Sequence, residues 1–96
     1  MNTYNTYFNN INNKIKTCQE EIDDLRKRQH SSFLKYLKWF LMKQIKLYDN
    51  ETIDFCMEKW LDIINKYGKM IKDTNLELGD LYEEKDELWE NLEETQ

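Results

Sequence analysis

The sequence predicts an all-α fold, an antiparallel helical bundle, on three observations. Large side chains recur at alternating intervals of four and three residues from Ile53 to Leu92, and again from Tyr4 to Leu25. The 96-residue chain has no proline and only two glycines, so little in it breaks a helix. It also has no valine, a residue that strands favour.

The C-terminal stripe is the longer of the two and never changes register. A repeat of seven residues keeps its members on one side of a gently supercoiled helix. Only Thr74 and Lys85 interrupt the apolar and aromatic series. The stripe consists of Ile53, Met57, Trp60, Ile64, Tyr67, Ile71, Thr74, Leu78, Leu81, Lys85, Leu88 and Leu92. A helix striped on one side is unstable alone, so we expect this one to pack on another helix.

The N-terminal stripe predicts a helix over residues 3–29. The same four-and-three spacing relates Tyr4, Phe8, Ile11, Ile15, Cys18, Ile22 and Leu25. Residues 26–28 are three cations in the last turn, where they suit the negative end of the helix dipole. We prefer that interpretation to a nucleic-acid patch. This helix is expected to run antiparallel to residues 73–95 and to cover their stripe.

A second helix is predicted over residues 32–48, and it is apolar over about half of its circumference. Ser31 and Ser32 favour helix caps over helix interiors, so a break or bend is expected near residue 30. No glycine or proline enforces it, and a single helix remains an alternative. The broad face carries Phe33, Leu34, Tyr36, Leu37, Phe40, Leu41, Ile45, Leu47 and Tyr48. Lysines fill the opposite side, with Trp39 and Met42 among them.

The chain is expected to reverse at Asp49 and Asn50, near its midpoint. Both are good N-caps, and Glu51 suits the first turn of a helix over residues 51–72. A capping box, Thr74 with Glu77, then predicts a break before a last helix over residues 75–95. The unbroken register across Thr74 favours one continuous helix instead.

Two architectures therefore remain for a single domain of residues 1–96. One is a four-helix up-down bundle with short loops near residues 30, 49 and 74. The other is a long coiled-coil-like hairpin that dimerises. The broad face of residues 33–48 needs more cover than one stripe provides, which favours either the compact bundle or self-association.

Composition argues against several classes of protein. One histidine cannot build paired Glu-x-x-His metal motifs within the chain, and there is no glycine-rich phosphate loop. Cys18 and Cys56 lack a CxxC partner and fall at core positions, so reduced, packed thiols are favoured over a disulfide. No run approaches the ~18 apolar residues of a membrane span, and no signal-peptide pattern is present. We expect a soluble cytoplasmic protein that is not an enzyme and carries no metal or cofactor.

Charge is distributed unevenly around the net value of −5. Residues 1–48 hold nine basic and four acidic side chains (+5), and residues 49–96 hold five and fifteen (−10). Like charges four residues apart cost ~0.2–0.5 kcal/mol per pair in a helix. The acidic C-terminal end is therefore either a solvated face or a surface for a basic partner. Candidate binding residues there are Tyr82, Glu83, Glu87, Trp89, Glu90 and Glu94.

The lysine face is the second candidate binding surface. Lysines around a tryptophan can bind phosphates and stack on a base, lie in a membrane interface, or surround a protein hot spot. Alternatively, Trp39 and Met42 belong to the core, with lysine stems along their neighbours. Most nucleic-acid-binding domains are basic, so the net charge favours a protein partner or the acidic end of a second copy. The candidates are Lys35, Lys38, Trp39, Met42, Lys43 and Lys46.

One local pattern invites comparison with a known family. A helical hairpin with Tyr-x-x-x-Asp, here Tyr82 and Asp86, resembles the small helical-hairpin proteins exported by specialised bacterial secretion systems. That family carries Trp-x-Gly at its central turn, where this chain has Tyr48, Asp49 and Asn50. The resemblance covers one pair of residues, and we assign no function from it.

These observations favour a non-enzymatic helical module that binds another protein and self-associates, with a homodimer as the simplest form. The excess of Asn, Lys and Ile is typical of AT-rich genomes, so a small adaptor or inhibitor from a phage, virus or mobile element is the concrete hypothesis. One alternative is nucleic-acid binding through residues 35–46. The other is an acidic nucleic-acid mimic that acts through residues 73–94.

Overall fold

The computed structural model describes residues 3–94, and the side chains of residues 5–91. Across that range the chain forms two α-helices, α1 (Thr3–Ile45) and α2 (Asn50–Glu94), joined by residues 46–49. The predicted all-α class is confirmed. The hairpin is the architecture that fits, and the four-helix bundle is not confirmed.

The breaks expected near residues 30 and 74 are absent, because both positions lie inside continuous helices. Ser32 is buried, and its hydroxyl donates to the Arg28 carbonyl oxygen at 2.9 Å. Thr74 is buried as well. Each residue occupies a position of the seven-residue repeat, so packing on the other helix overrides its preference for a cap.

The connection between the helices is short and well capped. α1 ends at Ile45, three residues earlier than predicted, and Lys46 adopts a left-handed backbone conformation with φ 56°. Such a residue commonly terminates a helix. The Asp49 carboxylate accepts a hydrogen bond from the Thr52 N–H at 3.0 Å, which makes Asp49 the N-cap of α2. The chain reverses close to the predicted position, with Asp49 as the N-cap, but the connection begins at Lys46 and Asn50 already belongs to α2.

Contacts within the chain cluster into two compact units. Unit 1 comprises residues 1–23 and 72–96, and unit 2 comprises residues 24–71. Each unit contains a segment of α1 and a segment of α2, and each is described here by itself.

Unit 1 has an apolar core made by both stripes. Ile11, Ile15 and Cys18 of α1 pack with Leu81 of α2, and further apolar residues of α2 lie against this cluster. The Phe8 and Trp89 rings meet edge to face with centroids 6.1 Å apart. Because early residues of α1 meet late residues of α2, the segments are antiparallel, as predicted.

Unit 2 is also antiparallel, but its helices meet along a more polar seam. Lys43 of α1 pairs with Asp54 of α2, with Nζ and Oδ1 2.9 Å apart. Gln29 Nε2 donates to the Ile64 carbonyl oxygen at 3.2 Å. The α1 residues on this seam continue the N-terminal repeat through Gln29, Ser32, Tyr36, Trp39 and Lys43, all buried or half-buried.

The predicted C-terminal stripe is confirmed along its described length. Every member from Ile53 to Leu88 is buried or half-buried, including the polar members Thr74 and Lys85. Ile53 is the most enclosed side chain, at 0% exposure. The side chain of Leu92, the last predicted member, lies outside the described residues.

Candidate protein-interaction surface

The last turns of α1 in unit 2 leave a broad apolar surface uncovered. We call Phe33, Leu34, Leu37, Phe40, Leu41 and Ile45 the apolar face. Five of the six side chains are exposed, from 44% at Phe33 and Phe40 to 65% at Ile45. Only Leu37 is half-buried. These residues were predicted to require cover, and their own chain does not provide it.

The position of α2 explains why this face is exposed. Successive residues of a helix are rotated by about 100° around its axis. By this measure, the middle of the seam formed by Ser32, Tyr36 and Trp39 lies roughly 140° around α1 from the middle of the apolar face. α2 therefore packs on the side of α1 that carries Trp39 and Met42, both half-buried. Trp39 and Met42 occur among lysines in the sequence because this side of α1 packs on α2.

Two lysines of the predicted lysine face contact α2 of their own chain. Lys35 Nζ lies 4.6 Å from the centroid of the Trp60 ring, a cation–π arrangement. Lys43 forms the ion pair with Asp54 at 2.9 Å. The Trp39 ring packs on Tyr48 with centroids 5.6 Å apart. Each of these three candidates thus has a partner within unit 2.

The remaining lysine candidates lie on open surface. Lys38 on α1 and Lys46 in the connection are both exposed. All six candidates from residues 35–46 therefore belong to one unit, but they do not form one continuous cationic surface.

The candidates near the C-terminus belong to unit 1. Tyr82 accepts a hydrogen bond from Gln19 Nε2 at 2.9 Å, and Trp89 packs on Phe8. Both rings are nevertheless substantially exposed, at 43% and 56%. The acidic candidates in this segment, Glu83, Glu87 and Glu90, are exposed. The Glu94 side chain lies outside the described residues.

The two units carry opposite net charge. Unit 2 has ten basic and six acidic side chains, for a net charge of +4. Unit 1 has four basic and thirteen acidic side chains, for a net charge of −9. Within residues 33–45, the arc of α1 that carries the apolar face contains one polar residue, the exposed Gln44, and no charged one. Cations border this arc: Lys38 is exposed beside it, and Arg26 lines a shallow cavity together with Phe33.

The thiols offer no evident reactive centre. Both cysteines are free, with Cys18 buried in the unit 1 core and Cys56 half-buried. Desolvation, with the neighbouring carboxylates Glu77 and Glu21, raises the pKa of the Cys18 thiol and keeps it protonated. No three His, Cys, Asp or Glu side chains within the described part of the chain are grouped to hold a metal ion.

The apolar face is the feature that the sequence-based list of binding residues missed. Its members were recognised as surplus apolar surface, to be covered either in a compact bundle or by self-association, but were not named as binding residues. Extending the N-terminal repeat past Leu25, through Gln29 and Ser32, would have placed α2 on the Trp39 side of α1. Residues 33, 34, 40 and 41 would then have been identified as outward-facing.

Comparisons with protein-family models, with curated proteins and with solved structures returned no match. Among the described residues, no helix is long and apolar enough to cross a lipid bilayer. The surfaces of the two units are therefore the basis on which a function is inferred.

Proposed function

We propose that this protein is a non-enzymatic helical module, an adaptor or inhibitor, that binds another protein chain through the apolar face of unit 2. One observation carries the proposal. Three residues of unit 2 are buried, whereas ten of its large hydrophobic residues are exposed. Contiguous apolar patches of several hundred Å² on soluble proteins commonly mark interaction sites.

A protein partner has more support than a nucleic acid. Lys35 and Lys43 already contact Trp60 and Asp54 of their own chain, and Trp39 is packed on Tyr48. Stacking on a base and neutralising phosphates would require these groups to leave their partners. The acidic surface of unit 1 has less support as a mimic, since exposed carboxylates are ordinary on the solvated side of a helix.

Site-specific photo-cross-linking in the cell of origin tests the proposal. A benzophenone amino acid replaces Leu41 at the centre of the apolar face, and cross-linked products are identified by mass spectrometry. The matched control carries the same probe at Ser31, which is exposed on α1 but lies off the face. A protein product is expected at position 41 and not at position 31.

Two results would contradict the proposal. Equal labelling at both positions would mean that the face has no special affinity for protein. Absence of any protein product at position 41, with the probe shown to be photoreactive, would mean that the face has no partner. Circular dichroism of both probe-bearing chains checks that the helices are retained.

A further inference from the structure

Resting on the proposed function, we infer that the partner of the apolar face is a second copy of this chain. The two copies bind face to face, with their α1 segments antiparallel about a two-fold axis. Within unit 2 of each copy, α2 lies on the opposite side of α1, so the contact joins four helical segments. This assembly would cover the surplus apolar surface of residues 33–48.

The exposed area matches what a dimer of this kind needs. The five most exposed residues of the face range from 44% to 65% exposure. With about 200 Å² for each large side chain, they present about 530 Å². The neighbouring Leu47 is 67% exposed and enlarges this area. Stable interfaces bury about 800 Å² per partner, whereas weak ones bury less, so a dimer of moderate affinity is expected.

The spacing of the face suits a helix of the same kind. Phe33 and Phe40 are seven residues apart, as are Leu34 and Leu41. A row with this period packs against another helix with the same period, and a second copy supplies one. In a two-fold contact the same patch is used twice, so an uninterrupted apolar surface is complementary to itself.

Polar and charged groups around the face are compatible with this arrangement. Gln44 is the one amide within the arc, and an amide can both donate to and accept from its counterpart across a two-fold axis. The nearest lysine, the exposed Lys38, lies one helical turn from Leu34 at the edge of the face, where its ammonium can stay in solvent. Lys35 and Lys43 are directed to α2 of their own chain. The rival arrangement places the +4 unit of one copy on the −9 unit of another. It would leave most of the apolar face without apolar cover.

The dependence of dimerisation on salt concentration distinguishes the two arrangements. Raising the salt concentration from about 0.1 M to about 1 M shortens the Debye length from about 10 Å to about 3 Å. Face-to-face contact brings two units of charge +4 together, so screening is expected to leave the dimer unchanged or to tighten it. Contact between units of opposite charge is expected to weaken under the same change.

The experiment is sedimentation of the full-length chain across about 1 to 100 μM, a range in which interfaces of this size associate. A species of about twice the 11.9 kDa chain mass is expected. Leu41→Glu is expected to weaken the dimer by more than about 100-fold, since it buries an unpaired carboxylate in apolar contact. The matched control Ser31→Glu adds the same charge off the face and is expected to dimerise like the wild type. Circular dichroism confirms that both variants stay helical.

Three results would overturn the inference: a wild-type monomer at the highest concentration, a Leu41→Glu variant that still dimerises, or a dimer that dissociates as salt rises. If the wild type is monomeric, the proposed function is still tested by the cross-linking experiment. A heterologous product from the probe at position 41 would then support the function and identify a partner other than this chain. No product in that experiment, together with a monomer here, would contradict both.

Discussion

At the level of single residues, one glycine enables the polar contact between the helices of unit 2. Gln29 reaches the backbone of α2 and donates to the Ile64 carbonyl at 3.2 Å. A Cβ atom at Gly68 would lie 3.3 Å from Gln29 Nε2, closer than most such contacts. A glycine is therefore useful at position 68, although glycine within a helix costs about 1 kcal/mol relative to alanine. Gly79, by contrast, has open space around it.

These surroundings predict different outcomes for two glycine-to-alanine substitutions. Gly79→Ala is expected to stabilise the protein by about 0.5–1 kcal/mol through helix propensity alone. Gly68→Ala is expected to give no net gain, because the displaced Gln29 loses a hydrogen bond worth about 0.5–1.5 kcal/mol. Urea unfolding of both variants measures the difference.

A Gln29→Ala background provides the control for this pair. There the hydrogen bond is already missing, so Gly68→Ala should recover the stabilisation seen at position 79. Equal gains for both glycines in the wild-type background would show that the contact at Gly68 has no energetic consequence.

At the level of elements, the boundaries of the helices follow their caps and their packing. α1 passes through Ser32 because that position lies on the seam, where burial on α2 outweighs local preference. It stops where Lys46 adopts a left-handed conformation. α2 starts at the Asp49 cap, and the hydrogen bonds from Thr52 hold the pKa of the Asp49 carboxyl below its usual value.

The depressed pKa makes the start of α2 sensitive to acid. The Asp49 carboxylate contributes stability above the unfolded pKa of about 3.8, and loses it as pH falls through the lower folded pKa. Asp49→Asn retains a capping side chain without a titrating group. The stability advantage of the wild type over this variant is therefore expected to shrink between pH 6 and pH 2, measured by urea unfolding at each pH.

Asp49→Ala serves as the reference for the cap itself. It removes the acceptor for the Thr52 N–H at every pH, so it should be less stable than Asp49→Asn throughout the range. A wild-type advantage that stays constant from neutral to acidic pH would argue that the charge of Asp49 has no part in capping α2.

At the level of the whole molecule, stability and interaction surface belong to different units. Unit 1 has the apolar cluster around Ile15, Cys18 and Leu81, together with an acidic exterior. Unit 2 has polar side chains of α1 among the residues of its helix seam and leaves the apolar face exposed. A chain folding as a lone hairpin has no reason to place a broad apolar face outward, so this division supports an intermolecular role.

The division predicts that two leucines respond very differently to truncation. Leu81→Ala removes a side chain that is 8% exposed, and should cost about 2–5 kcal/mol. Leu41→Ala removes one that is 60% exposed, and should change stability by about 0.5 kcal/mol or less when the chain is dilute and monomeric. Thermal or urea unfolding at low protein concentration compares them. Similar losses in the two variants would mean that the apolar face is buried within the monomer.

Much of this architecture was predictable from periodicity. The stripe from Ile53 to Leu88, the antiparallel pairing in unit 1 and the reversal at Asp49 all follow from spacing and capping chemistry. The helix breaks predicted from the capping preferences of Ser32 and Thr74 were wrong. A capping preference is weak compared with the burial of a residue in an uninterrupted seven-residue repeat. Composition favours burying Phe40 and Leu41, so the sequence left open whether residues 33–48 are covered in a compact bundle or by self-association. The register leaves this face exposed on the hairpin, because it places polar Gln29 and Ser32 against α2.

The connection at residues 46–49 has a consequence for how the chain folds. The ion pair nearest to it, between Lys43 and Asp54, closes a loop of 11 residues, whereas the contact of Gln19 with Tyr82 closes one of 63. Loop-closure entropy makes the longer closure costlier by about 1.5 kcal/mol. The Lys43–Asp54 pair is exposed and polar, but the fully buried Ile53 and the contact of the Trp39 and Tyr48 rings lie close to the same connection. The apolar cluster of unit 1 depends on the longer closure. We therefore expect the contacts of unit 2 to form first and to bring the two segments of unit 1 within reach of each other, because short closures lose less entropy than long ones.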